Sequence, residues 1–451
     1  MRYEIVFVSM CALTSLGAQQ PVLRRIAPVD ARVRAAVLDS IAHEMSRLYV
    51  DADTGQMIAA RLRQRSSQHA YDQLTDPRMF ADALTADLQS VNGDKHLYVA
   101  YAPGQSFDRP GAGGIVNDTG RVQRNTPQDD TAARRTHWDI LNADVLRGNV
   151  GYLKIEGFEG SPAALKATSD ALSYLDGTDA MIFDFRGMRG GSGEQSNFLI
   201  SHFTGADTVP SLVVTNRSAG KRKVRYTLAT VPGRKRPNVP IWILTDRGTA
   251  SAGEDFAFVM KQMGRAKTVG DRTAGAGHNN DFVDVGNGFG VSISYTRVAD
   301  PRTGKEWERV GVTPDINVDP AEALTAAHAA GLDSLSRATR DSAWGRSLRV
   351  ASLAVTLQAH PRSVPVATLA TYTGMYEGDR VVSMQDGGLT FRRPASRPPR
   401  PLLAVDDSTF VLSDIKVSFR RGPSGQMQMV QHLNDGSDFV IARLSAVPQM
   451  R

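Results

Sequence analysis

Cysteine is almost missing from this 451-residue sequence, which holds a single one, Cys11. That residue lies in the apolar N-terminal run, so a chain trimmed of its leader has no thiol for disulfides, zinc binding or nucleophilic catalysis. Long hydrophobic runs are also lacking: after the N-terminus nothing approaches the roughly 18 apolar residues a membrane-spanning helix needs. Charge is close to balance, with 53 Lys and Arg against 47 Asp and Glu, and this gives no reason to expect nucleic acid as a partner. Dinucleotide glycine spacing and the Walker lysine are absent as well, which removes the common phosphate-binding classes.

What remains is ordinary globular composition, 41% hydrophobic and 22% charged, in a chain long enough for several cores. The opening MRYEIVFVSMCALTSLGAQQ sets Arg2 before an apolar run and ends on Gly17 and Ala18. It reads as a secretory signal peptide over residues 1–18 and predicts a periplasmic or secreted protein. Helical spacing of Val33, Ala36, Val37, Ile41, Met45 and Leu48, and a second such pattern near Arg78 to Val91, predict an N-terminal helical domain over 26–92. The turn Asn92-Gly93 closes it, HLYVAY follows as a strand, and Pro103 to Arg135 reads as a long polar loop.

From Trp138 the texture changes. Strand candidates DILNADV, VGYLKI, AMIFDF, SLVVT and IWILT alternate with helical stretches, which predicts an α/β core with a largely parallel sheet over 93–320. Phe282–Val285 and Val291–Arg297 are expected to extend that sheet. A helical connector over 321–362 leads to short alternating runs over 366–447, read as a small antiparallel β barrel or sandwich. The clusters Lys221/Arg222/Lys223/Arg225 and Arg234/Lys235/Arg236 read as solvated hairpin ends, with attraction of an acidic substrate or membrane surface as the alternative.

Two segments carry the chemistry. ILTDRGTASAGEDFAFVM is a buried strand, a tight turn and a helix with Ser251 in its first turn, where unpaired N–H groups and the helix dipole stabilise an oxyanion. Serine is also a favoured N-cap, so the position alone does not make it a nucleophile. AMIFDFRGMRGGSGE is a second strand running into a glycine-rich turn whose N–H groups can converge on negative charge.

With their order and separation, these segments resemble the tail-specific (C-terminal processing) serine protease family. DFRGMRGG is similar to that family's glycine signature, TASAGE to its nucleophile turn, VGDRTAGAGH to the connection that follows, and ERVGVTPDINV to the end of its core. The resemblance implies a crotonase-like core and a serine endopeptidase acting on peptide or protein substrates through an acyl-enzyme on Ser251, with no cofactor and no metal. Many members use a lysine base downstream of the serine, but TAGAGHNN contains none, and Lys261 and Lys267 are misplaced.

The sequence instead resembles the histidine-using branch that includes the tricorn core protease. By that resemblance the Asp-x-His element GDKHLYVAY supplies His96 as general base, with His278 ranked below it, and Glu308 orients the imidazole, with Glu306 as runner-up. The oxyanion donors are then the N–H groups of Gly190 and Ala252, with Gly191 a near alternative. Met188 and Arg189 depart from the glycine signature and leave its loop geometry open. The stretch between His96 and Val150 has no room for a PDZ module, as in the interphotoreceptor retinoid-binding modules. A non-catalytic binder of an apolar ligand and an esterase using the same serine are the rival functions.

Overall fold

Three capped helices open the chain in a computed structural model that describes residues 28–104, 107, 131, 133–394 and 397–444. They are α1 (Ala31–Leu48), α2 (Ala52–Ser67) and α3 (Pro77–Gln89). Asp30, Asp51 and Asp76 stand at their N-caps and accept hydrogen bonds from first-turn N–H groups, which satisfies donors the helices cannot. Their apolar faces (Ile41, Met45, Ile58, Phe80, Leu84) share one buried core with Val283, Phe289, Val291 and Ile293 of a sheet. The helical unit therefore roofs a sheet and has no separate core. The expected leader, and most of the loop read over Pro103 to Arg135, lie outside the described residues.

That sheet has five strands: β1 (Tyr98–Tyr101), β5 (Pro210–Asn216), β6 (Lys221–Tyr226), β9 (Asn279–Gly286) and β10 (Phe289–Ala299). Every pairing in it is antiparallel, and β6 forms one edge. A second sheet of six strands has the order β11-β8-β7-β4-β3-β2, namely Ile316–Asn317, Ala266–Gly270, Ile241–Thr245, Ala180–Asp184, Val150–Ile155 and Ile140–Leu146. It is parallel except where β2 meets β3.

The six-stranded sheet is covered on both faces, and all five residues of β4 and of β7 are buried, which explains their unbroken apolar runs. One face packs on α4 (Pro162–Tyr174), α5 (Gly193–His202) and α6 (Ala252–Gln262), with Met181, Phe183, Ile243 and Phe256 at the centre. The other face, through Ile182, Trp242 and Leu244, packs on α7 (Ala323–Ala338) and α8 (Ser342–Ala359).

β9 and β10 do not extend the parallel sheet as expected. Asn287 and Gly288 both have positive φ, 56° and 77°, the geometry of a two-residue hairpin, which forces its strands antiparallel. SLVVT (β5) joins the same five-stranded antiparallel sheet, and β11 takes the open edge of the parallel sheet beside β8 instead.

The last unit is an eight-stranded antiparallel meander, β12 (Gly374–Tyr376) to β19 (Asp438–Ala442). Leu444 N–H donates to Met375 O and Glu377 N–H to Ala442 O, so the first and last strands meet and the sheet closes. Tyr376, Phe391, Phe410, Phe419 and Met429 fill the interior, as expected of a barrel of this size. Val350 and Ala354 of α8 pack against Val411, tying the barrel to the core. Among the described residues no helix is long and apolar enough to cross a membrane.

Candidate active site

Adjacent parallel strands β4 and β7 end side by side, so the turns that follow them meet. Asp246, at the end of β7, accepts through one carboxylate oxygen from the N–H groups of Gly187 (2.9 Å), Gly248 (2.8 Å) and Thr249 (3.0 Å). Thr249 Oγ1 donates to Phe185 O at 2.7 Å, and Ala250 N–H donates to Met188 O at 2.8 Å. Met188 is buried and lies against Gly253, where a side chain would meet its sulfur at 3.0 Å. The departure from the glycine signature is thus an apolar plug under the first turn of α6.

The charged pair of that signature is structural. Asp184 is fully buried, accepts Tyr152 OH at 2.7 Å, and is gripped by Arg186 through Nε (2.8 Å) and Nη2 (2.5 Å). Burial alone would raise its pKa, but the hydrogen bonds from Arg186 and Tyr152 prevail and lower it. Arg186 also donates to Pro320 O, which fixes the loop against the exit of the core.

Ser251 occupies the N-cap of α6 at φ 51° and ψ −119°, a backbone region that a non-glycine residue adopts only at a cost of order 1–3 kcal/mol. Such strain persists where the surroundings impose it. Here they include Glu254, fully buried, which accepts from Ser251 N–H (3.0 Å), Thr273 Oγ1 (2.5 Å), Gly275 N–H (2.7 Å) and Ala276 N–H (2.8 Å). Burial pushes this carboxyl above the usual range and the four donors oppose that shift. Glu254 is absent from the residues singled out by motif, and the signal that marks it is the Ser-x-x-Glu spacing of a capping box.

Gly190 lies against the serine. Its φ is +97°, and a Cβ there would fall 2.7 Å from Ser251 Cβ and 3.0 Å from Ala252 N. The neighbouring N–H groups of Arg189 and Ser192 are committed to Glu156 O and Phe158 O, and Gly190 O accepts from Phe158 N–H. Among the described residues Gly190, Gly191 and Ala252 N–H groups donate to no such partner. Ser251 and Ala252 border a cleft of about 700 Å³ with Phe198, Leu212, Trp307 and His278.

The titratable groups come from three distant segments. Asp94, fully buried, accepts Tyr49 OH at 2.9 Å and His96 N–H at 2.9 Å. Burial acts to raise its pKa, but hydrogen bonds from His278, Ser294 and the His96 backbone outweigh it and bring the value down to about 2. His278 Nδ1 faces Asp94 Oδ2 at 3.4 Å and Glu308 Oε2 at 3.7 Å. Glu308 Oε2 accepts the N–H groups of Gly277 (2.6 Å) and His278 (3.0 Å). Burial raises the Glu308 carboxyl, His278 lowers it and Asp94 raises it further.

His96 is 9% exposed, with Nδ1 3.8 Å from Asp94 Oδ1. Burial holds its imidazole below the ordinary histidine pKa; Asp94 works against this and His278 with it. Glu308 therefore meets His278, while His96 reaches the same group of side chains through Asp94. No hydrogen bond joins Ser251 to either ring in this structure, although bonds of this kind commonly tighten only when substrate is bound. Glu306 instead pairs with Arg297 at 3.3 Å. Lys261 is held by Asp315 at 2.9 Å and Lys267 is exposed on β8, so neither lysine borders the serine's cleft.

Two family profiles match in chain order: peptidase family S41 over residues 149–318, and the N-terminal domain of peptidase S41 in eukaryotic IRBP over residues 24–132. The chain belongs to peptidase family S41. Ser251, Gly190 and Glu308 fall inside the first match and His96 inside the second. Among relatives of known name, a chloroplastic C-terminal processing peptidase of Tetradesmus obliquus is 38% identical over 81 residues, covering 18% of this chain and 17% of that protein. The carboxy-terminal processing protease CtpB of Bacillus subtilis is 26% identical over 180 residues, 40% of this chain and 36% of CtpB.

The chain thus spans well under half the length of these relatives. Similar solved structures include the photosystem II D1 C-terminal processing protease (19% identical, TM-score 0.39, 65% of this chain and 94% of that one). The tricorn protease is another (14% identical, TM-score 0.41, 65% and 35%). Superpositions at that level assign neither mechanism nor substrate.

Proposed function

We propose that this S41 chain is an exported serine endopeptidase with Ser251 as nucleophile, on a core of the crotonase-like type. The observation that carries the reading is the juxtaposition of Gly190 with a strained Ser251 at the start of α6. His96, neutral at ordinary pH, takes the Ser251 hydroxyl proton as Oγ attacks the scissile carbonyl carbon. The N–H groups of Gly190 and Ala252 stabilise the oxyanion. Collapse expels the amine, which takes the proton from His96, and water then hydrolyses the acyl-enzyme by the same route in reverse. Glu308 and Asp94 supply the negative charge that offsets the imidazolium.

One observation favours a second assignment of the base. His278 borders the same cleft as Ser251, and its Nδ1 faces two carboxylates, the arrangement that would orient a catalytic imidazole through its other nitrogen. The rest of the mechanism is unchanged. Export rests on the leader-like N-terminus, and N-terminal sequencing of protein recovered from cells checks it.

Covalent labelling by an organophosphonate, with Ser251→Ala as control, tests the nucleophile. Labelling of the native chain alone, with peptide cleavage by it alone, is expected. Equal labelling of both would show that another serine reacts. Labelling without cleavage of any peptide in a library would point to an esterase, and no labelling at all to a binding protein.

A further inference from the structure

The cluster of Asp94, His278 and Glu308 has a property that acid–base chemistry does not require. One imidazole nitrogen and two carboxylate oxygens, one from each residue, all lie within 4.8 Å of one another. The separations from His278 Nδ1 are 3.4 Å to Asp94 Oδ2 and 3.7 Å to Glu308 Oε2. Zinc bonds of about 2.0–2.2 Å to nitrogen and oxygen in tetrahedral array place neighbouring donors about 3.3–3.6 Å apart. Two of the three edges thus stand close to the spacing in a zinc tetrahedron, and the Asp94–Glu308 edge lies within 4.8 Å.

Two further observations point to a ligand. Glu308 Oε1 is buried with no hydrogen-bond partner, as is His96 Nδ1 beside the other carboxylate, and buried polar atoms are rarely left so. A cavity of about 360 Å³ borders His278 and Glu308 on the side of Tyr49 and Asn92, giving an ion an entry path and room for water at the fourth position. The ligating oxygens are also fixed in place by hydrogen bonds, as metal ligands usually are: Tyr49 OH donates to Asp94 Oδ2, and the Gly277 and His278 N–H groups donate to Glu308 Oε2.

We propose that Asp94, His278 and Glu308 form a binding site for a divalent zinc ion. No sequence motif marks it, because a chain without usable cysteine lacks the common structural zinc spacings. An ion here binds His278, which borders the cleft of Ser251, and takes Asp94 from His96, so the loaded chain is the inactive form. That consequence, unlike binding itself, rests on the peptidase reading.

Calorimetric titration of the leader-free chain with zinc alone decides the site, since it needs no turnover. One strong site is expected, weakened at least about tenfold in Asp94→Asn, His278→Ala and Glu308→Gln. Glu308→Gln keeps an oxygen for the Gly277 and His278 N–H groups, so it remains informative if His278→Ala misfolds. Zinc absorption spectra should show one imidazole with oxygen donors. No strong site, or one undiminished in folded Glu308→Gln and Asp94→Asn, overturns the proposal. Phosphonate labelling then separates the two claims: a chain that binds zinc as expected yet labels Ser251 equally fast with zinc refutes the inhibitory role alone. Failure of labelling without zinc strikes the peptidase reading and leaves the site standing.

Discussion

Replacing Glu254 with glutamine keeps shape and removes charge, and the structure fixes what that does. The carboxylate has no room to turn outward, being fully buried among the donors of Ser251, Thr273, Gly275 and Ala276. The amide's better orientation points its oxygen at Ser251 and Ala276 and its NH2 at Thr273 and Gly275. The Thr273 hydroxyl can reverse, but the Gly275 N–H cannot and is left facing another donor. One orphaned N–H costs about 1–3 kcal/mol, and with charge assistance lost from the remaining bonds the total is about 2–4 kcal/mol. Glu254→Ala orphans all four donors and should cost more.

Denaturant unfolding followed by tryptophan fluorescence suits the measurement, because all four tryptophans precede residue 366 and so report the core rather than the barrel. The rate of phosphonate labelling should fall together with stability, since the same carboxylate holds the Ser251 backbone. A glutamine variant within about 0.5 kcal/mol of wild type would refute the reasoning. It would mean that the buried carboxyl is uncharged and that hydrogen bonds to a carboxylate do not set the serine's strain.

Gly190→Ala should retain the fold yet lower the Ser251 labelling rate by about 100-fold or more, because its Cβ would fall 2.7 Å from that of Ser251 and push aside an oxyanion donor. Arg225 donates two hydrogen bonds of 2.7 Å to Asp255 in the first turn of α6; Arg225→Ala leaves that carboxylate unpaired and should cost about 3 kcal/mol in the same unfolding assay. For His96, burial lowers the folded pKa, so the neutral base persists below the ordinary value of about 6.5 and acylation should rise with pH to a plateau from a midpoint under that value. The sign for stability is the same: the unfolded chain binds the proton more readily, so the His96 contribution is complete above the unfolded pKa and is lost as pH falls from there through the lower folded pKa. His96→Ala should abolish the acylation rise and Glu308→Ala should only weaken it; a wild-type profile in His96→Ala, lost instead in His278→Ala, would move the base to His278.

Local chemistry explains what could be read from the sequence. The Ser251 turn was legible because strand end, glycine turn and helix start are consecutive, and each has its own residue signal. β4 and β7 were legible as buried strands because both their faces are covered, so nothing interrupts the apolar run. β10 misled for the opposite reason: Ser292, Ser294 and Thr296 alternate with apolar residues, like a half-exposed strand at the end of the parallel sheet, yet all three are buried. The positive-φ pair Asn287-Gly288 marked a hairpin and therefore a second sheet.

The basic run of β6 was half legible. Lys221 and Arg222 are exposed, as a solvated edge should be, but Arg225 reaches Asp255 and ties that edge to α6. Charge counting along a strand cannot separate the two, because the partner is supplied by an element 30 residues away. The same limit governs the site itself. Asp94 and His278 are 184 positions apart and Glu308 follows 30 later, so their meeting depends on how the helical roof, the antiparallel sheet and the end of the core close on one another. An Asp-x-His element can mark His96 and Asp94 as a local pair; that a second histidine stands between Asp94 and Glu308 is a property of the packed sheets. Which imidazole would receive the Ser251 proton in the proposed mechanism is therefore set by tertiary geometry, and the paired histidine variants address that geometry directly.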